Sequence, residues 1–197
     1  MGARRRAGGC DLTRPESEDD MKPIGPLMIE HRLIERMVAL LEGHLREVES
    51  GASPNAELLD AAVDFFRTYA DRTHHGKEED LLFEALGGKS LRAERQAEMD
   101  ELVEEHKTAR GLVKAMLDAR QRFASGDKQA RQDLTETLGE LTSLYPGHIE
   151  KEDKSFFPAA MEVLSDEEQQ DMLGQFAEFD RQMIHEKYRG VVDRFEG

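Results

Sequence analysis

Residues 74–85 read HHGKEEDLLFEA, and residues 148–159 read HIEKEDKSFFPA. In both stretches a histidine is followed four residues later by a glutamate. The two pairs are His74 with Glu78 and His148 with Glu152. Residues four apart lie on one face of an α-helix, so such a pair can point an imidazole and a carboxylate at the same ion. This combination suits iron, zinc or manganese, and the repeated motif therefore indicates a metal site.

Each motif is preceded by a further histidine at nearly the same distance. His31 stands 43 residues before His74, and His106 stands 42 residues before His148. Turn-forming residues near the middle of each interval divide it into two helical legs of about 20 residues, each about 30 Å long. The two histidines of each pair return to one height, and all four can meet in one layer of an antiparallel four-helix bundle.

The residues around these histidines also match between the two halves, which indicates an internal duplication. The further matching segments are Glu30-His31-Arg32 and Glu105-His106-Lys107. His44 and His185 have no carboxylate four residues later, and we expect them at the surface.

The apolar residues recur at alternating spacings of three and four, the period of an amphipathic helix, and strand signals are absent. In the first predicted helix, His31 lies inside an apolar seam that runs from Leu27 to Val48. Pro158 is expected to end or kink the fourth helix. The predicted starts of the later helices are Ser53-Pro54, Ser90 or Leu91, Asp127, and a capping box of Ser165 with Glu168. We expect an all-α fold, an antiparallel up-down four-helix bundle with an additional C-terminal helix.

The composition narrows the class of protein. A formal net charge of −15 at pH 7 argues against binding to nucleic-acid phosphates. No apolar run approaches the ~18 residues of a membrane helix, and residues 1–20 contain no apolar stretch of a secretory signal. The lone Cys10 excludes an intrachain disulfide. We expect a cytoplasmic protein with a disordered tail over 1–22, a bundle over 23–162 and a helical extension over 163–197.

Two alternatives complicate the choice of ligands. His75 and Glu79 have the same spacing as His74 and Glu78, but the residues one to two turns before His75 are polar. They are Thr68, Asp71 and Arg72, whereas the residues one to three turns before His74 are Val63, Phe66 and Ala70. This favours His74 and Glu78 facing inward. Whether Glu35, four residues after His31, or Asp153, beside Glu152, joins the site is open; for Glu35 we favour a salt bridge or a contact outside the ligand set.

The pattern H…HxxxE…H…HxxxE, with LF or FFP downstream, resembles the hemerythrin-like family, also called HHE cation-binding domains. The resemblance covers roughly residues 27–160. It implies a four-helix bundle that holds a non-haem di-iron centre, with two glutamates bridging both irons. The family's ligand positions fall on His31, His74, Glu78, His106, His148 and Glu152.

The chain departs from the oxygen-carrying members of that family. They place two histidines four apart on the third helix, whereas Arg110 stands four residues after His106 here. They also place an aspartate five residues after the last histidine, where Asp153 stands here beside Glu152. One imidazole is missing, which argues against reversible oxygen transport and leaves an iron position open to peroxide or nitric oxide chemistry, iron holding or sensing.

Three functions from different classes follow. The first, which we favour, is a non-catalytic protein with two non-haem irons that binds or senses oxygen, nitric oxide or iron. The second is a di-iron enzyme that acts on peroxide or repairs iron centres; the absence of a reactive cysteine near the site and of a cofactor motif argues against it. The third is a metal-free helical interaction module. The ferritin-like Glu-x-x-His pattern and the zinc-protease HExxH motif are both absent.

Overall fold

The structure is a computed structural model that describes residues 22–196, with side chains described up to residue 183. All but one residue of the tail expected over 1–22, together with Cys10, lies outside the described residues, as does the side chain of His185. The described chain forms five helices, and no strand occurs within it. They are α1 (Ile24–Glu49), α2 (56–87), α3 (Ala93–Ala124), α4 (130–163) and α5 (Asp166–Glu196).

Helices α1 to α4 form the expected bundle. Around the bundle α1 packs on α4, α4 on α3, α3 on α2 and α2 on α1, while α5 packs outside on α2. Short turns join the helices, and Gly51 and Gly126 take positive φ values of 110° and 89° in two of them. The all-α bundle with an extra C-terminal helix is therefore confirmed. Across the described residues, the helices lack an apolar segment of the length needed to span a membrane.

Two of the helices change their winding along their length. Helix α2 is α-helical at both ends and contains two π-helical segments, whereas α4 contains one. In a π-helix the hydrogen bonds run from residue i to i+5, so each turn is wider and neighbouring side chains are rotated less from one another. The π segments are Phe66–His75 and Glu78–Phe83 in α2 and Glu152–Phe156 in α4.

The apolar core consists of two clusters. One cluster includes Ile34, Leu41 and Leu138, and the other includes Leu27, Leu82 and Phe157. His31 lies in the α1 seam between Leu27 of the second cluster and Ile34 of the first. The repeated histidine motifs therefore stand where the core passes from one apolar cluster to the other.

Several predicted helix boundaries are wrong by a few residues. Helix α2 begins after Asn55, not at Ser53 and Pro54, because the Asn55 side chain accepts a hydrogen bond from the Leu58 N–H at 3.2 Å. Helix α4 continues through Pro158 to Val163, since this proline lies at the start of an α-helical segment that follows the π segment. The capping box is confirmed: Glu168 accepts from the Ser165 N–H at 2.8 Å, and Ser165 Oγ accepts from the Glu168 N–H at 3.3 Å.

His44 is buried, so the expectation of a surface position is wrong. Its Nε2 accepts a hydrogen bond from the Asn55 N–H at 3.0 Å, and its Nδ1 lies 3.3 Å from Glu47. This histidine closes the turn between α1 and α2 and has a structural role.

Candidate metal centre

Seven buried ionisable side chains meet in the interior of the bundle, and we call this set the polar layer. It falls into two groups, and within each group one potential ligand atom per residue lies within 4.8 Å of all the others. The first group is His31, His74, Glu78 and Glu152, and the second is His75, His106 and His148. The structure thus brings together all six residues predicted from the sequence and adds His75. Metal binding by these residues stays a prediction.

The two glutamates each contact both groups. Glu78 places Oε1 3.3 Å from His74 Nε2 and Oε2 3.4 Å from His106 Nε2. Glu152 places Oε2 3.2 Å from His31 Nε2 and 3.3 Å from His148 Nε2. This arrangement allows each carboxylate to be shared between two metal positions.

His74 and His75 both face the interior, although the sequence suggested that only one of them would. His75 is 1% exposed and belongs to the second group, so the prediction that its face is solvent-like is wrong. The physical reason is the π segment Phe66–His75, whose wider turn brings two adjacent side chains to the interior. The equivalent residue in the other half of the chain is Ile149, so the two groups differ by one imidazole. His75 thus brings a fifth imidazole beside the four predicted from the sequence.

Four carboxylates just outside the polar layer orient four of its histidines. Each of these rings places Nδ1 within hydrogen-bond distance of a carboxylate oxygen and turns Nε2 toward the interior. In the neutral ring with the proton on Nδ1, the Nε2 lone pair is available to a metal ion. The pairs are His31 with Asp153 at 2.7 Å, His74 with Glu30 at 2.9 Å, His106 with Glu79 at 2.7 Å and His148 with Glu105 at 2.8 Å. Metal-binding histidines are commonly held this way.

Each of these carboxylates is in turn paired with a cation. The ion pairs are Asp153 with Arg32, Glu30 with Lys77, Glu79 with Arg110 at 2.7 Å, and Glu105 with Lys151 at 2.6 Å. These ion pairs were not predicted from the sequence. A signal was present, because the Glu30-His31 and Lys77-Glu78 pairs recur in the second half as Glu105-His106 and Lys151-Glu152.

The internal duplication extends to the aromatic residues that flank the polar layer. Phe157 stacks on His31 with ring centroids 5.7 Å apart, and its repeat counterpart Phe83 stacks on His106 at 6.1 Å. The planes of both pairs are within 8° of parallel. These phenylalanines are the FFP and LF residues of the sequence motifs, and their role is to pack against the inward-facing imidazoles.

The two residues left open by the sequence lie outside the two groups. Glu35 is partly exposed and pairs with Arg32 at 3.2 Å, which confirms the expected salt bridge. Asp153 holds the Nδ1 side of His31, while its neighbour Glu152 occupies the interior. Arg110 binds Asp71 at 2.6 Å as well as Glu79, so it supports His106 from outside.

The unpartnered atoms of the polar layer fit a metal ion. Among the residues that the structure describes, twelve buried side-chain nitrogen and oxygen atoms have no hydrogen-bond partner, and ten of these belong to the polar layer. Leaving a buried polar atom unsatisfied costs ~1–3 kcal/mol. A transition-metal cation binds imidazole lone pairs and carboxylate oxygens together, so the donor set matches such an ion.

Burial keeps the imidazoles of adjacent His74 and His75 neutral, the form that binds metal. It lowers the pKa of His74 to about 4 and that of His75 well below its usual value. Burial acts in the same direction on His31, but the nearby carboxylates of Asp153 and Glu152 outweigh it and raise its pKa to about 9.

The two central carboxyls have opposite pKa shifts. Burial and the charge of Glu152 raise the pKa of Glu78 well above its usual range. Burial also opposes ionisation of Glu152, but the surrounding imidazoles, with His148 first, lower its pKa well below its usual range. Without a cation the pair favours a single negative charge, and a metal ion between them would favour ionisation of both.

Comparison with known proteins agrees with this site. The family model of the hemerythrin HHE cation binding domain matches residues 22–160 of the sequence. Similar proteins include uncharacterized proteins of Mycobacterium bovis and Mycobacterium tuberculosis, each 24% identical over 187 residues. The alignment covers 92% of this chain and 71% of each relative. The family match ends before α5 begins at Asp166.

Proposed function

Because the chain belongs to the hemerythrin HHE cation-binding domain family, we propose that it holds two non-haem iron ions and binds or senses oxygen, nitric oxide or iron itself. When bound, such a pair of irons supplies redox chemistry and open coordination positions for a small ligand. His31, His74, Glu78 and Glu152 would hold one iron, and His75, His106 and His148 with the same two glutamates would hold the other.

The concentration of unpartnered atoms in the polar layer carries this proposal. Ten buried nitrogen and oxygen atoms without hydrogen-bond partners converge from all four helices of the bundle. A metal-free interaction module gains nothing from burying them, since apolar residues of the same size would avoid the cost. The sharing of Glu78 and Glu152 between two adjoining groups supports two metal positions over one.

The unequal groups support binding of a small ligand at the first position. The first group has two imidazoles and the second has three, because Ile149 stands where the other half has His75. A cavity of about 320 Å³ between α1 and α4 is lined by Ile149, Asp153 and Tyr145. On the opposite side, a cavity of about 460 Å³ between α2 and α3 reaches His75 and the same tyrosine. Oxygen and nitric oxide are small enough to pass from such cavities between packed side chains.

The test is metal analysis together with optical spectra under air, peroxide and nitric oxide, after anaerobic loading with iron(II). We expect about two irons per chain and a spectrum that changes when a gas is added. His74→Ala should lose iron, whereas His44→Ala should retain it, because His44 is a buried histidine outside the polar layer.

Two results would redirect the proposal. Peroxide turnover faster than that of free iron would favour the enzyme function. Purified wild-type protein that takes up no stoichiometric iron after loading would rule out the di-iron centre altogether.

A further inference from the structure

Helix α5 lies outside the family match and packs against α2 at the height of the polar layer. Phe176 is buried there, and the Lys77 ammonium lies 5.8 Å from the centre of its ring. Phe179 fits over Gly76, where an added Cβ atom would lie 2.7 Å from the ring atom Cζ. A side chain at position 76 would therefore force the Phe179 ring, or α5 with it, to shift. The close packing of Phe179 therefore favours glycine at position 76, directly after His75.

A continuous chain of charged contacts leads from α5 to the first group. Asp180 of α5 places Oδ1 2.9 Å from Lys77 Nζ, and the same ammonium pairs with Glu30 Oε1. The other oxygen of Glu30 lies 2.9 Å from Nδ1 of His74. His74 is thus held by a carboxylate whose cation is in turn shared with α5.

Lys77 needs this second carboxylate because its side chain is fully buried. A buried ammonium is costly unless its charge and its donors are satisfied, and Glu30 is shared with His74. In the other half of the chain the equivalent Lys151 is 22% exposed and takes its second carboxylate from Glu101 of α3. The bundle itself therefore supplies both carboxylates that pair with Lys151, whereas one of the two that pair with Lys77 comes from α5.

We propose that α5 is a docked outer part of the metal centre, and that its docking and metal loading of the first group stabilise each other. In this arrangement Asp180 and Lys77 are positioning residues that act on His74 through Glu30. Coupling of this kind is reciprocal, so a helix that strengthens metal binding is itself held more firmly once metal is bound. The proposal rests on the proposed function. In a sensor of metal or ligand, binding at the centre would change how firmly α5 is docked at the protein surface.

The first test compares iron(II) binding under anaerobic conditions in four full-length proteins: wild type, Asp180→Asn, Asp180→Glu and Asp171→Asn. We expect Asp180→Asn to bind about tenfold more weakly, the low end of the range for groups that support metal ligands from outside. Asp180→Glu keeps the carboxylate and should bind iron(II) nearly as tightly as wild type. Asp171→Asn, an exposed acid on the same helix, should bind like wild type.

The second test measures hydrogen exchange of the backbone amides of residues 172–183 with and without iron(II). In wild type we expect slower exchange after loading, and in Asp180→Asn we expect that difference to shrink. Gly76→Ala crowds the Phe179 ring of α5 and removes no charged group, so by disturbing the docking of α5 it should weaken iron binding in the same direction. It also serves if Asp180→Asn fails to fold.

The two proposals fail in different ways. If wild type takes up no iron, the metal centre itself is refuted. If wild type takes up iron, while Asp180→Asn and Gly76→Ala bind it equally well and α5 exchanges at the same rate in both states, the coupling is refuted.

Discussion

The hydrogen-bond partners of Nδ1 and Nε2 distinguish the roles of the histidines in this protein. In His31, His74, His106 and His148, a carboxylate outside the polar layer holds Nδ1, and Nε2 faces Glu78 or Glu152 in the interior. His44 instead accepts a backbone hydrogen bond with Nε2 and closes a turn. Of the six histidines whose side chains the structure describes, His75 is the one in which both nitrogens lack a hydrogen-bond partner. Its burial therefore costs free energy unless an ion binds there.

Replacement of His75 should affect metal-free stability and metal content in opposite directions. His75→Ile copies the residue that stands at Ile149 in the other half. In the metal-free protein the change removes two unsatisfied buried nitrogens, so we expect the free energy of unfolding to rise by ~1–3 kcal/mol. Iron per chain should fall, because the second group loses an imidazole. Denaturant unfolding of the metal-free proteins and metal analysis of the loaded ones measure both effects.

The matched control for this prediction is His44→Leu. It should lower stability, because the Asn55 N–H loses its acceptor, and it should leave iron content unchanged. A metal-free His75→Ile protein that is less stable than wild type would contradict the role assigned to His75.

At the scale of the helix, periodicity predicted the α-helical seams but could not predict the π segments. Leu27, His31 and Ile34 lie buried on α1 as their spacing indicated. The same reasoning applied to α2 assumed an α-turn at residues 66–75, and this error placed His75 on the wrong face. Whether a turn widens depends on tertiary packing and on the polar groups at the site, which a single sequence does not reveal.

Helix starts illustrate the same limit on a smaller scale. Ser53 with Pro54 and the following Asn55 both match a helix-start signature, and the structure uses Asn55. Ser165 with Glu168 has both members of a reciprocal box, and that prediction was right. A motif with two interlocking parts specifies a boundary better than a single capping residue.

The start of α5 should respond to pH through Glu168. Hydrogen bonds from Lys89 and Ser165 lower the pKa of this carboxyl to about 2, against ~4.3 in an unfolded chain. A lowered folded-state pKa means that the carboxylate stabilises the fold above the unfolded pKa and loses this effect as pH falls toward 2. Glu168→Gln should therefore lower the melting temperature at pH 7, and the difference from wild type should shrink below pH 4. Thermal melts across this range measure it.

The neighbouring substitution Glu167→Gln removes the same charge without removing the cap. Its melting temperature should stay close to that of wild type at both pH values. A Glu168→Gln deficit that persists unchanged at pH 3 would show that the ionised carboxylate is not what stabilises this helix start.

At the scale of the whole molecule, the polar layer couples all four helices of the bundle. His31 comes from α1, His74 and Glu78 from α2, His106 from α3, and the last pair, His148 and Glu152, from α4. The intervals of 43 and 42 residues predicted this common height from the sequence alone. The docking of α5 through Asp180 was not predictable in that way, because no repeat or motif identifies the partner of a buried lysine.

Removal of metal should therefore weaken the bundle as a whole. The two groups draw on every helix of the bundle, so bound ions oppose its cooperative unfolding. A ligand present at 1,000 times its dissociation constant adds ~4 kcal/mol to the free energy of unfolding. For a chain of this length that corresponds to a rise in melting temperature of roughly 8–16 °C. Calorimetric melts of chelator-treated and iron-reloaded protein measure the difference.

The control for this measurement is a protein that has lost ligands from both groups, His74→Ala with His106→Ala. Its melting temperature should not respond to a chelator or to added iron. If wild type likewise melts at one temperature with and without iron, the polar layer does not bind metal. The two His75 nitrogens that lack a hydrogen-bond partner would then be an uncompensated cost in the fold, and stability measurements on His75→Ile would show how large that cost is.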